Sequence, residues 1–124
     1  DVNIYWLMHE RDQYPDFWYG NLSNELTHCA SIYGCQGFEA NYVGVVWGRD
    51  FVLRDNRWEL GQNCEDSIGR PSLKELFESG HSGAHDQALR LLVNRYRIFL
   101  TRGIHGTYVY CEDDETAKFL YSVM

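Results

Sequence analysis

The longest periodic pattern in the chain lies in its last third. Leu89, Leu92, Val93, Tyr96, Phe99 and Leu100 recur at i, i+3, i+4, i+7, i+10 and i+11. This spacing predicts a helix over about Ala84 to Thr101 with one broad apolar face, stopped by Gly103. A second pattern differs. Tyr42-Val43-Gly44-Val45-Val46-Trp47 is a continuous apolar run between Asn41 and Gly48. Such a run predicts a strand buried on both faces, as in a parallel sheet.

Shorter patterns fill the remaining chain. Val2 to Met8 alternates weakly and predicts an edge strand; Leu26 to Tyr33 reads as a second strand. Between them Tyr14-Pro15-Asp16-Phe17-Trp18-Tyr19-Gly20 reads as an aromatic loop with turn residues at both ends. Phe51 to Arg54 and Arg57 to Leu60 flank Asp55-Asn56 and predict a hairpin. Gly61 to Arg70 reads as loop, and Ser72 as the N-cap of a short helix. Thr107 to Cys111 reads as a strand, and Asp113 or Asp114 as the cap of a final helix carrying Ala117, Phe119, Leu120 and Val123. Strands alternating with helices argue for an α/β fold with a mostly parallel sheet.

With 124 residues, 44% of them hydrophobic, the chain has the makings of one domain with a real core, which excludes global disorder. No run approaches the roughly 18 apolar residues of a membrane span, and no basic-then-apolar leader opens the chain. The expectation is a cytoplasmic domain with no membrane partner. The first residue is Asp1, so the chain reads as a piece of something longer. Four cysteines, at 29, 35, 64 and 111, lack C-x-x-C spacing and read as free thiols in a reducing compartment. His81 and His85 have H-x-x-x-H spacing in a Gly/Ser-rich stretch without further ligands nearby, so no metal is expected.

A net charge of −7 makes the domain as a whole a poor match for nucleic-acid phosphates. One local strip runs the other way. From Arg90 to His105 the chain carries Arg90, Arg95, Arg97 and Arg102 and no acid. On a helical projection Arg90, Asn94, Arg97 and Thr101 share a polar side. Arg95 and Arg102 lie elsewhere, stacked seven residues apart between apolar stripes. A half-buried arginine needs an anionic partner. For Arg102 that partner is a bound phosphate, an acid near Glu112, or simply the helix C-terminus. A second candidate is Gln36-Gly37-Phe38-Glu39, a tight polar turn whose backbone N–H groups can face a ligand. It follows the carboxyl end of the strand ending at Tyr33, the side on which open α/β sheets bind ligands.

The run from Cys29 to Asp50 (CASIYGCQGFEANYVGVVWGRD) and the segment Asn94 to Gly103 (NRYRIFLTRG), with Gly106 to Cys111 (GTYVYC) after it, resemble the DUF2075 family, the Schlafen-like DNA/RNA helicase or ATPase domain related to superfamily 1 helicases. The resemblance covers roughly residues 27 to 120. It implies a three-layer RecA-like lobe with a mostly parallel central sheet and helices on both faces. Gln36, Gly37 and Glu39 look like helicase motif V, beside the ribose and phosphates of a nucleotide. Ser31 and Tyr33 fall where that motif meets the nucleic-acid backbone, Tyr33 standing where the motif often has His. Leu100-Thr101-Arg102 looks like motif VI, with Arg102 as the arginine finger on the γ-phosphate; Arg95 and Arg97 belong to the same segment.

No G-x-x-x-x-G-K-[ST] occurs in the chain, and no acidic Walker B-like run follows an apolar strand except after the last one, where the acids beyond Cys111 stand. The resemblance therefore implies the second, C-terminal lobe alone over residues 1–124, with residues 51–83 as a hairpin, loop and short-helix insert. ATP and Mg²⁺ would be shared with an upstream lobe of the same protein, and single-stranded DNA or RNA is the expected partner. The isolated chain is expected not to hydrolyse ATP. Two other functions compete: a degenerate module that binds protein or nucleic acid without catalysis, and a zinc hydrolase using His81 and His85.

Overall fold

The structure is a computed structural model and describes residues 4–7, 13–21, 23–61 and 71–124. In chain order the elements are β1 (Tyr5–Leu7), α1 (Gln13–Tyr19), β2 (His28–Ala30), α2 (Ile32–Cys35), β3 (Ala40–Trp47), β4 (Phe51–Arg54), β5 (Arg57–Leu60), α3 (Leu73–Ser79), α4 (Ala84–Leu100), β6 (Gly103–Cys111) and α5 (Asp114–Val123). The chain has an α/β fold. Its described strands form three pairs: β1 with β2 and β3 with β6, both parallel, and β4 with β5, antiparallel.

The β4–β5 hairpin turns on Asp55 and Asn56, at φ 49° and 60°. Two consecutive left-handed residues make a turn whose twist matches that of the strands, and Asp and Asn tolerate the conformation best after glycine. α3 opens with a capping box: Ser72 Oγ accepts from Glu75 N at 3.1 Å, and Glu75 Oε2 accepts from Ser72 N at 2.9 Å. Of the two candidate caps for α5, Asp113 fills the role.

The core forms where β3, the hairpin, α3, α4 and α5 meet. Trp47 stacks on Tyr96 at 4.0 Å between ring centroids and on Phe51 at 5.8 Å, while Phe51 stacks on Trp58 at 4.6 Å. Leu73, Leu76, Ala88, Leu92 and Leu120 complete it. The segment read as an insert thus supplies central core residues. On α4 the buried stripe is Ala84, Ala88, Leu92 and Tyr96. It is narrower than the periodicity predicts, because Val93 and Leu100 face solvent.

Three expectations are corrected. Gln13–Tyr19 is a helix, not a loop: Pro15 sits in the first turn, where a missing N–H costs nothing, and the chain leaves where a Cβ on Gly20 would meet the carbonyl of Asp16. The strand read through to Tyr33 stops at Ala30, because Ser31 turns the chain into α2 and its carbonyl accepts from Gly34 N and Cys35 N. β3 is not buried on both faces. Val45 and Trp47, paired with Val109 and Cys111, face inward. Tyr42 and Val46 are exposed, as are Tyr108 and Tyr110 on β6, at 71% and 68%. Alternation along a pleated strand separates the two sets, and the described helices cover the inner face. The N-terminal strand prediction narrows to Tyr5–Leu7, and the loop read over 61–70 lies, after Gly61, outside the described residues, as does Cys64.

Candidate functional site

Arg102 stands between the end of α4 and the start of β6. Its carbonyl accepts from Ala40 N at 3.0 Å, where β3 begins. The side chain turns towards the same place. Nε donates to Ile98 O at 3.2 Å, Nη2 to Thr101 Oγ1 at 3.3 Å, and Nη1 to Phe38 O at 3.3 Å. The last bond spans 64 residues and joins the end of the basic strip to the Gln36–Glu39 turn. The two segments singled out in the sequence therefore meet.

All three acceptors are neutral. A guanidinium has five N–H donors, so two remain, one on each Nη. Among the described residues no carboxylate lies within 4.0 Å of Arg102. Of the acids after Cys111, Asp113 and Glu115 face Arg54 instead. The helix-terminus interaction considered for Arg102 is present, through Ile98 O, but it uses one donor only. Cys35, buried at the end of α2, feels the guanidinium's charge. Burial pushes its thiol above the ordinary range, and the Arg102 charge pulls the other way.

The turn itself is built for reach. Phe38 N donates to Cys35 O at 3.3 Å, and Gly37 adopts φ 83°, a conformation side chains rarely tolerate. A Cβ there would meet open space, so backbone geometry, not crowding, calls for glycine. Gln36 and Glu39 are exposed on either side. α2 intervenes between β2 and this turn, which leads into the amino end of β3. It does not directly follow a strand's carboxyl end, because Ser31 starts a helical turn first. The carboxyl ends of β3 and β6 meet at the other edge, where Glu112 N donates to Trp47 O at 3.0 Å.

The other candidates are spread around this point. Ser31 is buried, at 2% exposure, and stands at the N-cap position of α2 without a capping bond from its side chain; Tyr33 is exposed one residue into that helix. Arg95 is half-buried one helical heptad before Arg102, and Arg97 is exposed. Among the described residues no group of His, Cys, Asp and Glu is placed to hold a metal ion. His81 and His85 are both exposed.

The sequence reading missed one residue here. Trp18 donates from Nε1 to Gly34 O at 2.8 Å, and its ring stacks on Phe38 at 4.8 Å and 6°. The aromatic triplet Phe17-Trp18-Tyr19 was the available signal, but nothing local says which loop it grips.

The chain matches the model of the Schlafen group 3 DNA/RNA helicase domain over residues 1–113. It belongs to that family. The match takes in β1 to β6 and with them both segments that meet at Arg102. The chain is also 30% identical over 103 residues to the uncharacterized protein YPL245W of Saccharomyces cerevisiae. That alignment covers 77% of this chain and 20% of the yeast protein, so the chain spans about a fifth of that relative's length. No solved structure matches. The chain is thus a Schlafen-like helicase-related module, and none of the helices among its described residues is long and apolar enough to cross a membrane.

Proposed function

We propose that this module is the C-terminal RecA-like lobe of an ATP-dependent helicase or translocase-like ATPase, supplying one wall of an interlobe nucleotide site. The observation that carries the reading is the Arg102–Phe38 contact, which places a cation with two spare donors against an exposed polar turn. Gln36, Gly37 and Glu39 would approach the ribose and phosphates, with Arg95 and Arg97 in support. ATP, once bound, supplies the phosphoryl bond that is broken. Arg102 would stabilise the charge that develops there, which is where a preorganised cation contributes most. The residues present fit a nucleotide's anionic end; among the described residues no carboxylate cluster is placed for Mg²⁺, which this reading assigns to the upstream lobe of the same protein. Ser31 and Tyr33 would lie towards single-stranded DNA or RNA, Tyr33 through its exposed ring. In the complete lobe further elements would cover the outer face of β3 and β6 and build the three-layer arrangement. The working compartment on this reading is the cytoplasm.

The test is steady-state ATP hydrolysis by the full-length protein with and without single-stranded nucleic acid, wild type against Arg102→Ala. Loss of an arginine finger lowers turnover by about a thousandfold or more. A folded variant with unchanged turnover overturns the reading. Absence of hydrolysis in both proteins shifts it to a binding module.

A further inference from the structure

We infer that Trp18 is a positioning residue for Arg102, acting through the loop between α2 and β3; the inference rests on the ATPase reading above. One side chain holds both the end of α2 and the loop that follows it. Its indole N–H bonds Gly34 O at 2.8 Å, and its face lies parallel to the Phe38 ring, 6° apart with centroids at 4.8 Å. Trp18 is itself braced. Buried Phe17 packs edge-on against it at 5.0 Å and 90°, and both belong to α1. Tyr19 adds an edge contact to Phe38 at 6.2 Å.

Between the two anchored points lie Cys35, which is buried, and Gln36 and Gly37, both exposed. A cross-loop bond from Phe38 N to Cys35 O is the loop's other brace. The carbonyl at Phe38 is the acceptor that draws Nη1 of Arg102 away from its own helix end. Fixing the Phe38 ring therefore fixes that carbonyl, and the carbonyl fixes the guanidinium. Without Trp18 the guanidinium keeps its local acceptors, Ile98 O and Thr101 Oγ1, and loses the fixed one across the gap. Misplacement of a catalytic group by about 1 Å is enough to cost on the order of a hundredfold in rate. A group that acts only on transition-state charge shows its loss in kcat rather than KM.

The experiment is a double-mutant cycle on ATP hydrolysis by the full-length protein. Trp18→Ala is expected to lower kcat by roughly ten- to a hundredfold while the KM for ATP moves by less than about threefold. Trp18→Phe, which keeps the stack and loses the N–H, is expected to fall between Trp18→Ala and wild type. Combined with Arg102→Ala, neither substitution should slow turnover further, because residues that act as a unit are non-additive. Phe119→Leu, in the core and remote from the loop, is the comparison for lost stability and should keep kcat. Wild-type kcat in Trp18→Ala, or losses that multiply with those of Arg102→Ala, overturns the inference while the ATPase reading stands. Unchanged kcat in Arg102→Ala, or no hydrolysis by the wild type, overturns both. If Trp18→Ala does not fold, the cycle with Trp18→Phe decides in the same way.

Discussion

Asp113 joins three elements, and its removal makes a sharp test of how the domain is held. Its carboxylate accepts from Thr116 N at 2.9 Å and Thr116 Oγ1 at 2.6 Å, and from Arg54 Nη1 at 2.8 Å and Nη2 at 2.5 Å. Thr116 is fully buried, and its hydroxyl in turn accepts from Leu53 N at 2.9 Å. In Asp113→Ala, α5 loses its cap, worth about 1 kcal/mol. The buried Thr116 hydroxyl loses its acceptor, at about 1–2 kcal/mol. The Arg54 guanidinium is open to water, so its pair is left out of the sum. The expected loss is about 2–3 kcal/mol. Urea unfolding followed by tryptophan fluorescence reads it, since Trp47 and Trp58 share the core beside α5. The midpoint should fall by roughly 1–2 M. Asp113→Asn retains a capping oxygen and should lose less than half as much. Equal losses in the two variants, or a loss in Asp113→Ala below about 0.5 kcal/mol, refutes the assignment of the cap and the Thr116 acceptor as the main contributions.

The same carboxylate shapes the acid limb of stability. Hydrogen bonds from Arg54 hold its pKa well below the ordinary range, with those from Thr116 adding to the effect. The unfolded chain therefore takes up this proton first as pH falls, so the contribution of Asp113 is complete above about pH 5 and is lost progressively below the ordinary carboxylate value of about 3.9. Asp113→Asn should flatten that limb in a pH series of urea midpoints, and an unaltered slope counts against the pairing. Tyr96→Phe removes a hydroxyl that donates to Asp50 Oδ1 at 2.6 Å and accepts from Gly48 N at 3.1 Å, leaving the ring stack on Trp47 in place. A loss of about 1.5–3 kcal/mol is expected in the same urea assay, since one lost bond is to a carboxylate; a loss under about 0.5 kcal/mol shows that water replaces the phenol.

Local chemistry made much of the fold legible. Asp55-Asn56 specified the hairpin, Ser72 the start of α3, the pair Asp113 and Asp114 that of α5, and a 3.6-residue period the course of α4. Short elements were not legible. Seven residues from Gln13 to Tyr19 are too few to display a helical period, and their aromatic composition points as readily to a strand or loop. The exposed side of β3 was hidden because Tyr42 and Val46 are as apolar as the buried Val45 and Trp47 between and beyond them. At the site, periodicity marked Arg102 as a half-buried cation and glycine spacing marked the turn at Gly37. Their meeting was legible only through the family resemblance, since it depends on a strand pairing 64 residues apart. The role of Trp18 was not legible, because its partners Gly34 and Phe38 lie in α2 and the loop after it and no local pattern links them to α1.

The parallel pairing of β3 with β6 sets an order of events during synthesis. Ala40 partners Gly103 and Tyr42 partners Gly106, so β3 leaves the ribosome long before the strand it needs. At about 5–20 residues per second, the 64 residues from Phe38 to Arg102 take roughly 3–13 s to make. Through that interval Val45 and Trp47, both buried in the finished domain, lack their partner strand and the helix that covers them. Uncovered apolar surface of this kind is what chaperones bind and what drives aggregation. The loop at Phe38 stays without its cation until α4 is complete, so any nucleotide wall built on Arg102 is among the last features of this domain to form. Truncation between Trp47 and Arg102 would therefore remove the cation and the partner strand while leaving the turn and the apolar strand behind.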